Sequence, residues 1–203
     1  MKKSLLKIIL LLAALWLPLN AHAAKNILVF GDSLSAGYGI AVEESWPVLM
    51  QQELKRNGSK YQVVNASISG ETTLGGRQRI DQALKLHRPD VVVLELGAND
   101  GLRGYPIADT AANLNAIVVA AQRAKARVLL VGMRLPPNYG EPYITQFAKM
   151  YPRLARQRGI RLLPFLLEGV PPEQFQPDNL HPTAEAQPLL MRNVLKELQP
   201  LLR

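Results

Sequence analysis

The sequence predicts a three-layer α/β/α domain built on a parallel five-stranded sheet, and three observations carry that prediction. Five short apolar runs recur along the chain, amphipathic helical patterns fill the intervals between them, and the first four runs are near-continuously apolar. Strands buried on both faces read this way, and both faces are covered where helices flank a parallel sheet.

The runs are "NILVF" (Asn26–Phe30), "YQVVNA" (Tyr61–Ala66), "DVVVLELG" (Asp90–Gly97), "RVLLVGM" (Arg127–Met133) and "IRLLPF" (Ile160–Phe165). Pro164 removes a ladder donor from the fifth run, which assigns that strand to a sheet edge. Helical patterns cover Glu44–Asn57, Leu74–His87, Ala108–Ala124, Tyr143–Arg158 and Pro182–Leu202. Asn57-Gly58 and Arg158-Gly159 read as helix stops. No internal repeat, low-complexity tract or linker interrupts the alternation, so one domain is expected.

The first residues belong to a different kind of segment. Met1 to Lys7 carries three lysines and no acid, Ile8–Leu17 is unbroken apolar, and Ala21-His22-Ala23 has the small-x-small form of a cleavage site. Residues 1–23 therefore read as a secretory signal cut before Ala24, leaving residues 24–203 as the domain and placing the protein in the periplasm or outside the cell. The apolar core is shorter than the roughly 20 residues of a bilayer span, so no stable membrane anchor is expected.

The whole chain has 203 residues and a formal charge of +8, and the segment after the signal keeps 21 Lys and Arg against 16 Asp and Glu. Its densest basic stretch, "PRLARQRGIR" (Pro152–Arg161), has no interleaved aromatic and matches no nucleic-acid motif, so it reads as a solvated helix face. The chain contains no cysteine. That excludes thiol nucleophiles, thiolate metal sites and redox chemistry. Only His87 and His181 lie beyond the signal, too few for a two- or three-histidine metal site once His87 is read as a helix C-terminal cation. Neither a Gly-Lys-Ser/Thr phosphate loop nor Gly-x-Gly-x-x-Gly is present.

What remains is concentrated where strands end. "GDSLSAG", "SISGETT", "GANDGLRG" and "PDNLHPT" follow runs one, two, three and five. Open α/β sheets bind ligands outside the carboxyl ends of their strands, where strand order reverses, and in a flavodoxin-like order that point brings Ser33 and Asn99 to one crevice. Ser33 supplies a hydroxyl at a helix start, with Gly31 and Asp32 permitting the tight turn before it. His181, followed by Pro182, is expected at a helix N-cap, where the dipole keeps it neutral as a base. Asp178 stands three residues earlier and can hold its other nitrogen. Asn99 offers a side-chain amide and Gly70 an unobstructed N–H for a developing oxyanion. Each of these has a plainer reading as a turn or cap residue, so the argument rests on their convergence.

Taken together, "GDSLSAGYG", Gly70 in "SISGET", Asn99 in "GANDG" and Asp178/His181 in "DNLHP" resemble the SGNH (GDSL) hydrolase family, in the family's order and across nearly the whole domain. "LGANDGLRG", "GMRLPPNYG" and "LLPFLLEGV" bring it near bacterial enzymes acting on esters and thioesters. The resemblance implies the flavodoxin-like SGNH fold, a Ser33–His181–Asp178 triad, and an oxyanion hole from the Ser33 N–H, Gly70 N–H and Asn99 side chain. It implies a two-step reaction through an acyl-serine, with no metal or organic cofactor. It also suggests a loop near Gly101–Pro106, with Leu135 and Tyr139 close by, over an acyl groove; Leu102, Tyr105, Leu135 and Tyr139 are its expected substrate contacts. Arg77, Arg79 and Arg103 are expected near the mouth. Substrates on this reading are small esters or thioesters with acyl chains, lysophospholipids among them, handled by a monomer with no nucleic-acid partner. A carbohydrate or peptidoglycan O-deacetylase on the same scaffold, and a non-catalytic binding protein, are the competing readings.

Overall fold

The computed structural model describes residues 25–202. The signal segment and its cleavage point lie outside them. Five parallel strands, β1 (Lys25–Gly31), β2 (Tyr61–Asn65), β3 (Val91–Glu95), β4 (Arg127–Val131) and β5 (Arg161–Leu163), form one sheet in the order β2-β1-β3-β4-β5. Ile27 to Phe30 and Val91 to Leu94 have no exposed surface. These two central strands are covered on both faces, which is why their sequence does not alternate.

Among the described residues, seven α-helices accompany the sheet: α1 (Ser33–Ala36), α2 (Trp46–Arg56), α3 (Thr73–His87), α4 (Ala98–Leu102), α5 (Ile107–Arg123), α6 (Glu141–Arg158) and α7 (Gln187–Leu198). The helix α2 packs with α7, while α5 packs between α3 and α6, giving the two outer layers. Each long helix buries one stripe. In α2 it is Trp46, Met50 and Leu54; in α5, Leu114, Ile117, Val118 and Ala121; in α6, Phe147, Met150, Tyr151 and Leu154. That i, i+3, i+4 spacing is the helical period. Gln187 Oε1 accepts from the Trp46 N–H at 3.1 Å, tying the first turns of α2 and α7 together.

Two expectations are corrected here. The first long helix does not begin at Glu44: Val42–Glu44 is a separate 3₁₀ turn, and Ser45 in extended conformation divides it from α2. The last helix does not begin at Pro182. Backbone bonds from Gln176 N–H to the His181 carbonyl (2.8 Å) and from Thr183 N–H to the Gln174 carbonyl (2.8 Å) hold 181–183 in antiparallel pairing, with a bridge between Phe175 and Pro182. A 3₁₀ turn follows at Ala184–Ala186, and α7 starts at Gln187. His181 is therefore no N-cap, and the dipole argument for its protonation lapses. The edge position of β5 agrees with the reading of Pro164, which falls directly after the strand.

No described helix is long and apolar enough to cross a membrane.

Candidate active site

The strand β1 ends against Glu95, and this contact explains its last residue. A Cβ on Gly31 would lie 2.6 Å from Glu95 Oε2 and 2.8 Å from Ser35 Oγ. Gly31 does not adopt positive φ, so close packing between β1 and β3, rather than turn freedom, requires the glycine. Asp32 then caps α1, its Oδ1 accepting from the Leu34 N–H at 3.1 Å, and Ser33 becomes the first helical residue.

Ser33 Oγ lies 2.9 Å from His181 Nε2, and His181 Nδ1 lies 2.6 Å from Asp178 Oδ2. The other carboxylate oxygen of Asp178 accepts from the backbone N–H groups of Leu180 (2.9 Å) and His181 (3.0 Å), an Asx turn with Asn179 in the left-handed region between them. Desolvation pulls the Asp178 carboxyl upward, but the hydrogen bonds from His181 and Leu180 outweigh it and hold it down at about 2. Gln176 clamps this loop to the serine loop: its Nε2 donates to the carbonyls of Tyr38 (2.8 Å) and Pro182 (3.1 Å). The Tyr38 ring lies 4.6 Å from the imidazole, a contact that sequence reasoning missed although Tyr38 stands five residues past Ser33 in the same motif.

Gly70 sits in a left-handed turn (φ +77°) stacked beside β1 through an Ile68 N–H bond to the Gly31 carbonyl (3.1 Å). Among the described residues, the N–H groups of Ser33 and Gly70 meet no acceptor. Asn99 reaches the same spot from α4, but its two amide hydrogens are engaged, one by Asp32 Oδ2 (3.1 Å) and one by the Glu71 carbonyl (3.0 Å). The Asn99 and Gly70 loops are bolted together underneath. Buried Asp100 accepts from the Thr73 N–H (2.8 Å) and hydroxyl (2.5 Å), and Asn113 donates to that hydroxyl at 3.3 Å.

A cavity of about 480 Å³ opens beside these groups, with Leu102, Met133, Leu135, Phe165, Leu167 and Phe175 among its walls and Ser33, Gly70, Asn99 and His181 at one end. Leu102 and Leu135 line it. Tyr105 and Tyr139 do not: Tyr139 donates to the Leu102 carbonyl at 2.9 Å from behind the wall, and the carbonyl of Tyr105 accepts from Tyr143 at 2.7 Å. Of the three arginines placed near the mouth, only Arg103 is there, donating to the Gly70 carbonyl at 3.2 Å. Arg77 donates to Asn113, and Arg79 pairs with Glu71 and covers the Phe30 ring. Met133, Arg134, Phe165, Leu167 and Phe175 were not singled out from the sequence, because the walls come from strand ends and loops far apart in the chain. Among the described residues, no three His, Asp or Glu side chains converge to share a metal ion.

The profile of the GDSL-like lipase/acylhydrolase family matches residues 29–188. The chain is similar to an arylesterase of Vibrio mimicus, with 44% identity over 180 residues covering 88% of this chain and 90% of that protein. It is similar to thioesterase 1/protease 1/lysophospholipase L1 of Escherichia coli, with 43% identity over 187 residues covering 91% and 88%. The crystal structure of TesA superimposes with a TM-score of 0.86 at 45% identity, covering 88% of this chain and all of that one.

Proposed function

The chain belongs to the GDSL-like lipase/acylhydrolase family and is a hydrolase of ester bonds, and from that premise we propose that it works as an exported serine esterase and thioesterase through an acyl-Ser33 intermediate. The observation that carries this reading is the 2.9 Å contact between Ser33 Oγ and His181 Nε2, backed by Asp178 at 2.6 Å. A serine hydroxyl is a poor nucleophile until a positioned base removes its proton, and the third group keeps that base in the right tautomer.

In the first step Ser33 Oγ attacks the acyl carbonyl and His181 Nε2 takes its proton. Negative charge collects on the former carbonyl oxygen, facing the unengaged N–H groups of Ser33 and Gly70. Asn99 joins them by sharing with the oxyanion the hydrogen that Glu71 accepts in the free protein, while Asp32 holds the other. Collapse expels the alcohol or thiol, which takes its proton from His181. Water then attacks the acyl-Ser33 ester, His181 accepts its proton and returns one to Ser33, and a carboxylic acid leaves.

The cavity supports acyl chains longer than acetyl. Its volume falls within the range of small-molecule sites, and its walls are chiefly aliphatic and aromatic. Such a wall suits fatty esters and lysophospholipids, which an exported enzyme meets at a membrane, and leaves an acetyl group loosely held. The O-deacetylase reading therefore has no feature of the site in its favour.

The test is the intact mass of the protein after fluorophosphonate treatment, beside a Ser33→Ala control. A single adduct absent from the control is the expected result. A folded protein that takes no adduct, or takes it in the Ser33→Ala variant, sinks the proposal.

A further inference from the structure

Behind the nucleophile lie two carboxyl groups: Asp32, which enters the reaction just described only by holding Asn99, and Glu95, which that reaction does not use. Asp32 and Glu95 are both without exposed surface, at the ends of adjacent strands in the register Gly31↔Glu95. Glu95 Oε2 accepts from the Ser35 hydroxyl (2.7 Å) and the Asp32 N–H (3.3 Å), whereas its Oε1 is buried and meets no donor among the described residues. Asp32, by contrast, has a donor on each oxygen: the Leu34 N–H on Oδ1 and the Asn99 amide on Oδ2. The two carboxyls are neighbours, joined through the Asp32 N–H, and each acts on the other's ionisation. An ionised Glu95 would leave an anionic oxygen orphaned in the core beside a second anion, which is the costliest arrangement available. A proton on Glu95 removes both problems, since it cancels one of the two charges and turns a carboxylate oxygen into a donor for which the Asp32 carboxylate is the neighbouring acceptor.

We propose that Glu95 is a positioning residue for the hydrolytic reaction: as a neutral carboxylic acid it donates a hydrogen bond to the Asp32 carboxylate, and Asp32 so fixed holds the Asn99 amide at the oxyanion pocket. The pair then carries one negative charge, seated on Asp32 beneath Ser33. The inference rests on the role proposed for Asn99.

The surroundings act in this sense. Burial, then the charge of Asp32, pushes the Glu95 carboxyl up. Burial also raises Asp32, to about 6, but the Leu34 N–H, the charge of His181, and the bonds from Asn99 and Glu95 all favour its ionised form, so Asp32 ionises first. From α6 the buried Tyr151 faces the pair, its own ionisation pushed up by burial and then by Glu95, Asp32 and Asp100. From α1 come only the neutral Ser35 hydroxyl and the Leu34 N–H, and from α4 the Asn99 amide.

Two measurements test this. In the unmodified protein carrying ¹³C-labelled glutamate, the Glu95 carboxyl resonance, assigned through bonds, is expected at neutral-acid shift at pH 7. An ionised carboxylate there overturns the proposal whatever the fate of any variant. In ester hydrolysis, Glu95→Gln preserves the donor to Asp32 and the acceptor for Ser35, so kcat stays within about threefold of the parent and loses less toward alkaline pH. Glu95→Ala removes both and lowers kcat by about tenfold or more with KM little changed, a fraction of what loss of an oxyanion donor costs. A Gln variant that fails to fold, or that falls as far as Ala, overturns the neutral-acid role; a folded Ala variant with parental kcat overturns the positioning role. Fluorophosphonate labelling of Ser33 reads the triad separately, so a failure of the catalytic reading is told apart from a failure of this one.

Discussion

The Tyr151 hydroxyl occupies the place where a side chain on Gly97 would have to go: a Cβ there would lie 2.5 Å from Oη. Gly97 also has φ +115° and precedes α4, so it aims the helix that delivers Asn99. Gly97→Ala meets both a forbidden backbone and a buried hydroxyl. Its expected cost is about 2–6 kcal/mol of stability, the sum of a strained residue and an overpacked one. Urea denaturation measures it. Tyr151→Phe in the same chain frees the hydroxyl's space and recovers part of the loss; no recovery would put the whole cost in the backbone.

Asp178 Oδ2 lies 2.6 Å from His181 Nδ1, and in the proposed reaction it orients the imidazole. Asp178→Asn keeps the Asx turn but offers Nδ1 a wrong partner, and is expected to lower kcat by about 10²–10⁴-fold with KM nearly unchanged. Steady-state kinetics on a soluble short-chain ester decides. A loss confined to KM would argue that the Asp178 loop only shapes the pocket.

Stability is expected to peak near about pH 4 and to fall on both sides, for opposite reasons. Asp178 lies at about 2 against an ordinary 3.8, so its contribution is present above the ordinary value and lost as pH falls toward 2. Asp32 lies at about 6 against 3.8, so its contribution is full below the ordinary value and lost as pH rises through 6, and Glu95 acts in the same direction. Calorimetric midpoints from pH 2 to 8 check this. Glu95→Gln should flatten the descending limb; an unchanged limb would assign it to other groups.

Leu135 lines the cavity and packs where a Cβ on Gly101 would meet its two methyls at 2.7 and 3.0 Å. Replacing it by alanine removes its isopropyl end, three carbons of the wall, each worth about 0.8 kcal/mol against an acyl chain. Leu135→Ala should therefore lower kcat/KM for octanoyl esters by about tenfold or more while sparing acetyl esters. Equal losses on both would show that Leu135 supports the catalytic loops rather than the chain.

How far the sequence reveals this molecule depends on whether each feature is local. The central strands are legible because burial on both faces abolishes alternation in Ile27–Phe30 and Val91–Leu94 themselves. The residues now joined as serine, base and acid are legible because each sits in a short loop with its own turn chemistry. His181-Pro182 misleads because a pairing with Gln174–Gln176 overrides the preference of proline for a helix start. Glu95 is silent for the opposite reason. In "VVVLELG" it looks like the polar end of a strand, and only the register with Gly31 shows it facing Asp32. Tyr105 and Tyr139 come to the groove only through the family resemblance, and a motif match cannot tell a wall from its backing.

The bond between Ser33 and His181 spans 148 residues of sequence. During synthesis the nucleophile emerges long before its base, and Asp178 and His181 arrive together near the end. Their loop is held by Gln176 against the Tyr38 carbonyl, and the following helix is held by Gln187 against Trp46. In the proposed reaction Ser33 therefore waits for its base until this late segment docks. On the proposed mechanism, hydrolytic competence is gained in one late event rather than accumulated.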